Sequence, residues 1–120
     1  MAAGSYERLS SEDEAILELE SASVKGHKAN VIVVGAGPGG ASLGVDALRA
    51  FVGSRLAAEP RSRQRVEQVP FGLGRPLWID DPEFDISDHV RDAGEGELDD
   101  TGLRRLAAEL MAAQLDHSKP

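Results

Sequence analysis

Two apolar rhythms alternate along the chain, and each predicts a different backbone. From Val31 to Val34 four β-branched residues run without a polar interruption, which predicts a strand buried on both faces. The segment Gly35-Ala36-Gly37-Pro38-Gly39-Gly40 ends that run. Val45, Leu48, Phe51, Val52 and Leu56 then recur at helical spacing and predict an amphipathic helix over about 45–58. Asp46 suits its first turn and Pro60 stops it. Earlier in the chain, Ser10 offers an N-cap hydroxyl, with Asp13 at the third helical position and Glu12 beside it. Ile16, Leu17 and Leu19 supply apolar contacts, so 11–20 reads as a short helix and 1–9 as a frayed lead-in.

The second half is punctuated more often. Apolar and polar residues mix in a strand-like way from Arg63 to Val69, and Pro70 closes the run. Gly72, Gly74 and Pro76 mark a turn before another short strand at Leu77-Trp78-Ile79. Residues 80–85 read as a turn, Ile86 to Arg91 as extended chain, and 93–102 as a loop rich in Gly, Asp and Glu. Asp100 or Thr101 can cap a last helix that runs to about Gln114, with Leu103, Leu106, Leu110 and Met111 on one face.

Composition narrows the function classes. A length of 120 residues suffices for one small domain, and 41% apolar residues suit a globular chain with a core of Leu, Val, Ile and Ala. Thirteen Lys and Arg against 21 Asp and Glu leave a net charge of −8, which argues against nucleic acid as a partner. Arg61, Arg63 and Arg65 accordingly read as a solvated strand edge rather than a phosphate site. The absence of cysteine excludes disulfides, thiolate metal sites and a thiol nucleophile. His27, His89 and His117 lie far apart, without the spacing of a zinc site. Glu12, Asp13 and Glu14 point around a helix rather than at a common ion. No secretory signal is visible, and no apolar run approaches the roughly 20 residues that span a bilayer. The expectation is a soluble, cytoplasmic chain.

Gly35, Gly37 and Gly40 satisfy G-x-G-x-x-G, the spacing of a dinucleotide cradle. Such a cradle needs a helix that begins at the loop and a second strand ending in a carboxylate on the ribose. Here the predicted helix begins late, near Val45, and Glu59 follows a helix end rather than a strand. A flavin- or NAD-binding fragment through Gly35–Gly40 is one alternative reading. A non-catalytic interaction module is another.

The stretch RSRQRVEQVPFGLGRPLWIDDPEFDISDHVR, residues 61–91, carries the most specific pattern. It closely resembles the N-terminal region of the bacterial wax ester synthase/acyl-CoA:diacylglycerol acyltransferase family. The matching positions are Arg63-Gln64-Arg65, Val69-Pro70, Gly74-Arg75-Pro76 and Trp78, then Asp81, Phe84-Asp85 and His89-Val90-Arg91. Leu9-Ser10 with Asp13 resembles the family's opening helix cap, Glu18 to Ser21 the end of that helix, and His27 a His that precedes its first strand. Leu115 to Pro120 resembles the L-D-x-S-x-P that leads into its P-L-W motif, which makes Pro120 the first residue of that motif. The resemblance is weakest over 25–44, where Lys28-Ala29 and the extra glycines depart from the pattern.

The resemblance implies a mixed α/β fold, the N-terminal part of the first subdomain of a chloramphenicol acetyltransferase-like enzyme, with helices covering a mixed sheet. Residues 1–120 would form this partial subdomain, with Val31–Val34 as its first strand. It further implies transfer of a fatty acyl group from acyl-CoA, a cosubstrate rather than a bound cofactor, to diacylglycerol or a long-chain alcohol. Peripheral association with membranes or lipid bodies goes with such substrates. The family's catalytic signature, H-H-x-x-x-D-G, supplies a His general base and is absent from residues 1–120. His89, in Asp88 to Gly94, imitates it with one His and a displaced Asp, and reads as structural. Trp78, in Pro76-Leu77-Trp78, reads as a packing residue. No catalytic, cofactor-binding or metal-ligating residue is therefore assigned, and the chain alone is expected to be inactive. The remaining portion would be supplied in the same polypeptide or as a separate chain.

Overall fold

The computed structural model describes residues 6–120. The chain divides into two compact units, the first drawn from residues up to 26, 56–84 and 115–120, the second from 27–55 and 85–114.

A three-stranded antiparallel sheet organises the first unit. Strands β1 (Tyr6–Arg8), β2 (Gln64–Glu67) and β3 (Leu77–Asp80) lie in the order β1-β3-β2, so the last strand in the sequence is the central one. The register sets Glu7 and Val66 beside Trp78, and Tyr6 and Arg65 beside Ile79. Side chains at one register position share a face, so Trp78 faces one side and Ile79 the other. Backbone bonds prolong the ladder beyond the strands: Leu9 N–H donates to Pro76 O at 2.9 Å and Asp81 N–H to Arg63 O at 3.0 Å. Leu9, 1% exposed, is the fully buried side chain of the unit, and Gln64 is buried with its amide donating to Asp80 Oδ1 at 2.9 Å.

Helix α1 (Ser11–Leu19) starts where the sequence places it, because Ser10 Oγ accepts from Asp13 N–H at 3.0 Å. Chain between β2 and β3 reverses through a 3₁₀ turn at Pro70–Gly72. Tyr6–Arg8 corrects the frayed lead-in expected over 1–9: three polar-flanked residues carry no strand signal, and their order comes from the free edge of β3. Residues 1–5 of that lead-in lie outside the described residues.

The second unit holds helices α2 (Val45–Arg55), α3 (Ile86–His89) and α4 (Asp100–Ala112). Arg49 on α2 donates from Nε to Val90 O at 2.8 Å, tying α2 to the end of α3. Phe51 falls outside the half-buried stripe of α2 and lies exposed beneath Arg55, whose guanidinium is 5.2 Å from the ring centroid. The extended chain expected over Ile86–Arg91 is instead a single helical turn, since Asp85 Oδ1 caps it by accepting from Ser87 N–H at 2.9 Å. Asp99 rather than Asp100 or Thr101 caps α4, accepting from Gly102 N–H at 2.7 Å, and Leu110 stands exposed outside its apolar face.

The largest correction concerns Val31–Val34. No strand forms there, and Ile32 and Val33 are each 81% exposed rather than buried. Residue type permits extended chain, but a strand exists only through a partner's backbone, and no residue among those described supplies one. The mixed α/β character stands on the three-stranded sheet and the helices.

Candidate functional site

The motif-rich stretch 61–84 builds the most elaborate side-chain arrangement of the first unit. Pro60 pre-sets the 3₁₀ turn Pro60–Arg63, which delivers Arg61 and Arg63 to two aromatic rings. Arg61 lies over Trp78, 4.6 Å from its ring centroid, and donates to Glu7 Oε2 at 2.8 Å. Arg63 lies over Phe84 at 5.5 Å. Arg65, on β2, pairs with Glu67 two residues along the same strand face. The expectation of a solvated strand edge is thus corrected for Arg61 and Arg63, which sit in a turn and cover aromatic faces. Each exposed stack contributes about 0.5–1 kcal/mol, and the exposed Arg61–Glu7 pair adds little beyond that. Trp78 packs under an arginine, in keeping with a structural role.

A cavity of about 450 Å³ opens beside this turn. Leu56, Pro60, Pro82 and Phe84 give it apolar wall, and Arg63, Asp80 and Asp81 give it charge. None of its lining residues is a histidine or carries a hydroxyl, so it brings no nucleophile and neutral base together. A second cavity, of about 550 Å³, lies between α1 and the glycine turn, with Glu14, Leu17 and Glu18 on one element and Gly72, Gly74 and Arg75 on the other. It can accommodate an apolar or mixed group, and no histidine or hydroxyl lines it.

The glycine loop of the second unit does not build a pyrophosphate cradle. Gly37 N–H donates to Ala41 O at 2.9 Å and Gly40 N–H to Gly37 O at 3.0 Å, so two of the amides that a phosphate would need are used within the loop. Gly39 and Gly40, both at φ 76°, supply the left-handed reversal that only glycine adopts freely. Helix α2 begins at Val45, five residues after Gly40, and no strand leads directly into the loop from 31–34.

The three histidines serve separate neighbourhoods. His27 donates from Nε2 to Met111 O on α4 at 3.1 Å, while its Nδ1 is buried without a partner. His89 ends α3 and is exposed. His117 pairs through Nε2 with the Glu20 carboxylate, which is 9% exposed, and so pins the 115–120 segment to the end of α1. In the same segment Asp116 Oδ1 accepts from Ser118 Oγ at 2.6 Å and Ser118 N–H at 3.0 Å. The Ser118 hydroxyl, more than its amide, holds the Asp116 carboxyl below its ordinary value of 3.8. Among the described residues, no group of three or more His, Asp or Glu side chains is arranged to hold a metal ion. No helix among them is long and apolar enough to cross a membrane.

Sequence reading found α1's cap and both strands of the motif, but missed the arginine–aromatic stacks and the Glu20–His117 pair. The alternation of arginine at 61, 63 and 65 held the signal for the former; residues 20 and 117 are too distant in sequence to suggest the latter.

Comparison with known proteins bears on all of this. The family model of the wax ester synthase/diacylglycerol acyltransferase catalytic domain matches residues 9–120. A probable diacylglycerol O-acyltransferase, tgs3, from Mycobacterium tuberculosis is 39% identical over 114 residues, covering 94% of this chain and 41% of its own length. The probable diacylglycerol O-acyltransferase tgs1 of the same organism is 40% identical over 76 residues, 62% of this chain and 16% of its own length. The chain therefore spans about two fifths, 41%, of the first relative and less of the second. No solved structure matches it.

Proposed function

The chain belongs to the wax ester synthase/diacylglycerol acyltransferase family, and from that membership we propose that it serves as the N-terminal scaffold of an acyl-CoA-dependent O-acyltransferase. The observation that carries this reading is the match over 9–120, whose most specific stretch builds β2, β3 and the stacked turn before them. In the proposed reaction a histidine base takes the proton of an acceptor hydroxyl. The hydroxyl oxygen then attacks the thioester carbonyl, and the CoA thiolate leaves with the electron pair of the broken C–S bond. Residues 1–120 contain no His-His pair to supply that base. Their part is to shape the fold against which the reacting groups are held. Diacylglycerol or a long-chain alcohol is the acceptor, and contact with a membrane or lipid body is where such an acceptor would be met.

A chimera tests this directly. Residues 9–120 of this chain replace the matched segment of the tgs3 relative, and acyl transfer from a fatty acyl-CoA to diacylglycerol is measured beside that relative. Turnover within about tenfold of the parent is expected, as interchangeable scaffolds should change barriers by about 1.4 kcal/mol or less. A soluble, folded chimera without transfer, beside an active parent, overturns the reading. The 120-residue chain alone should transfer no acyl group. Turnover that vanishes in His89→Ala would instead make His89 catalytic.

The interaction-module reading has one observation in its favour, the exposed apolar run Val31–Val34. It requires a partner that covers this run, and protection of 31–34 on mixing would be its signature.

A further inference from the structure

The cavity beside the Pro60–Arg63 turn is lined by two opposite charges that do not meet. Arg63 and Asp81 are bonded through their backbones, Asp81 N–H donating to Arg63 O at 3.0 Å, and both line the same space of about 450 Å³. Opposite charges across a ladder ordinarily attract one another. Here each is held by a different neighbour. The Arg63 guanidinium lies over the Phe84 ring, 5.5 Å from its centroid, and Asp81 Oδ1 accepts from Glu83 N–H at 3.0 Å. Among the described residues, no ion pair joins Arg63 to a carboxylate and no protein acceptor takes its N–H groups. Asp80, which accepts from the Gln64 amide at 2.9 Å, adds a second carboxylate to the lining. The remaining wall is apolar, with Leu56, Pro60 and Pro82 beside Phe84.

We infer that this cavity binds a small zwitterion with an apolar body, the chemistry of an apolar α-amino acid. The ligand's carboxylate accepts from the Arg63 guanidinium, its ammonium donates to the Asp81 carboxylate, and its side chain rests on the Leu56–Pro60–Pro82 wall. The volume lies within the range of about 300–1,000 Å³ usual for small-molecule sites, and a few charged groups set in apolar wall are their usual composition. The ring and the turn fix both charges before a ligand arrives, which lowers the ordering cost of binding. A cation alone would leave Arg63 unpaired beside it, and an anion alone would meet Asp80 and Asp81; a zwitterion satisfies both ends. The site goes beyond the acyl-transfer reading. Its test uses no acyl-CoA, so either can fail without the other.

The experiment is a nuclear magnetic resonance titration of the 120-residue chain with three probes of one shape. L-phenylalanine carries both charges, phenethylamine lacks the carboxylate and 3-phenylpropanoate lacks the ammonium. Saturable shifts of the Asp81 and Phe84 amides are expected with L-phenylalanine, at a Kd on the order of millimolar. Each analogue should bind about fivefold more weakly, the loss of one exposed charge pair. Arg63→Gln should weaken L-phenylalanine about fivefold without weakening phenethylamine. Asp81→Asn should weaken L-phenylalanine by a similar factor without weakening 3-phenylpropanoate, and it keeps an oxygen to accept from Glu83 N–H. Unchanged Val66 and Trp78 amide shifts report an intact ladder in both variants. The three probes on the parent chain also test the site without any variant. No saturation by L-phenylalanine, equal binding of either analogue, or parental affinity in either variant overturns the proposal.

Discussion

Residues 64–80 and residues 31–40 are built from similar ingredients: a short β-competent run beside a turn of glycine and proline. Only one of them becomes a sheet. Gln64–Glu67 and Leu77–Asp80 pair with each other, and the latter also with Tyr6–Arg8, so each backbone supplies the other's donors and acceptors. Val31–Val34 has stronger β-formers than either strand, yet stands exposed and unpaired. The same asymmetry appears in burial. Leu9, Gln64 and Pro76 are buried in the first unit, whereas no residue of the second unit is fully buried. Partners, not propensity, decide where this chain is ordered.

The largest difference between the regions should appear in large-to-small substitutions. Leu9→Ala should cost about 2–5 kcal/mol, because it empties a fully buried site. Val33→Ala should change stability by about 0.5 kcal/mol or less, since its side chain is already in water. Urea titration followed by Trp78 emission measures both, and equal costs would dissolve the contrast.

Next in size is Gln64→Ala. It removes a buried amide that donates to Asp80 Oδ1 at 2.9 Å, and a cost of about 1–2 kcal/mol is expected from the same titration. A cost near zero would mean that the ladder, not the side chain, holds β2 against β3.

Turn and cap chemistry separates the regions more finely. Ser10→Ala should cost about 1 kcal/mol by leaving Asp13 N–H without its acceptor. Gly40→Ala, at φ 76°, should cost a similar amount of about 1 kcal/mol. Gly37→Ala should cost almost nothing, because φ −72° suits any residue and the nearest atom to a new Cβ is Ala41 O at 3.7 Å. A severe loss on Gly37→Ala would indicate a close approach at that backbone, as a cradle requires.

The smallest effect is a pH response in the 115–120 segment. Asp116 titrates lower in the folded chain than its ordinary value of 3.8, so the charged form is the one the turn favours. Its contribution is complete above 3.8 and is lost as pH falls through the lower, folded value. The Ser118 amide resonance should follow that titration, and Asp116→Asn should abolish the response. A midpoint at or above the ordinary value would contradict the Ser118 bonds.

What could be read from the sequence follows the same division. Ser10 and Asp85 act within a few residues, as does the Val45–Leu56 stripe; local chemistry places α1 and α2, and the Asx cap at Asp85 is the local signal behind the helical turn where extended chain was expected. β1 was invisible because Tyr6–Arg8 owes its strand to the edge of β3, about seventy residues away in sequence. Val31–Val34 misled for the opposite reason, a strong local signal without a partner. The family pattern was legible because it is dense over 61–91, and those residues make the ladder, the stacks and the turn between β2 and β3. No candidate catalytic pair was legible in residues 1–120.

Residue-resolved amide hydrogen exchange at neutral pH tests the division most directly. Trp78 and Arg65, whose N–H groups point into the ladder, should be the slowest class to exchange, while Ile32, Val33 and Val34 should exchange at the rate of unstructured chain. Protection at 31–34 equal to that of β3 in the chain alone would contradict it, because it would mean that Val31–Val34 has found a backbone partner after all.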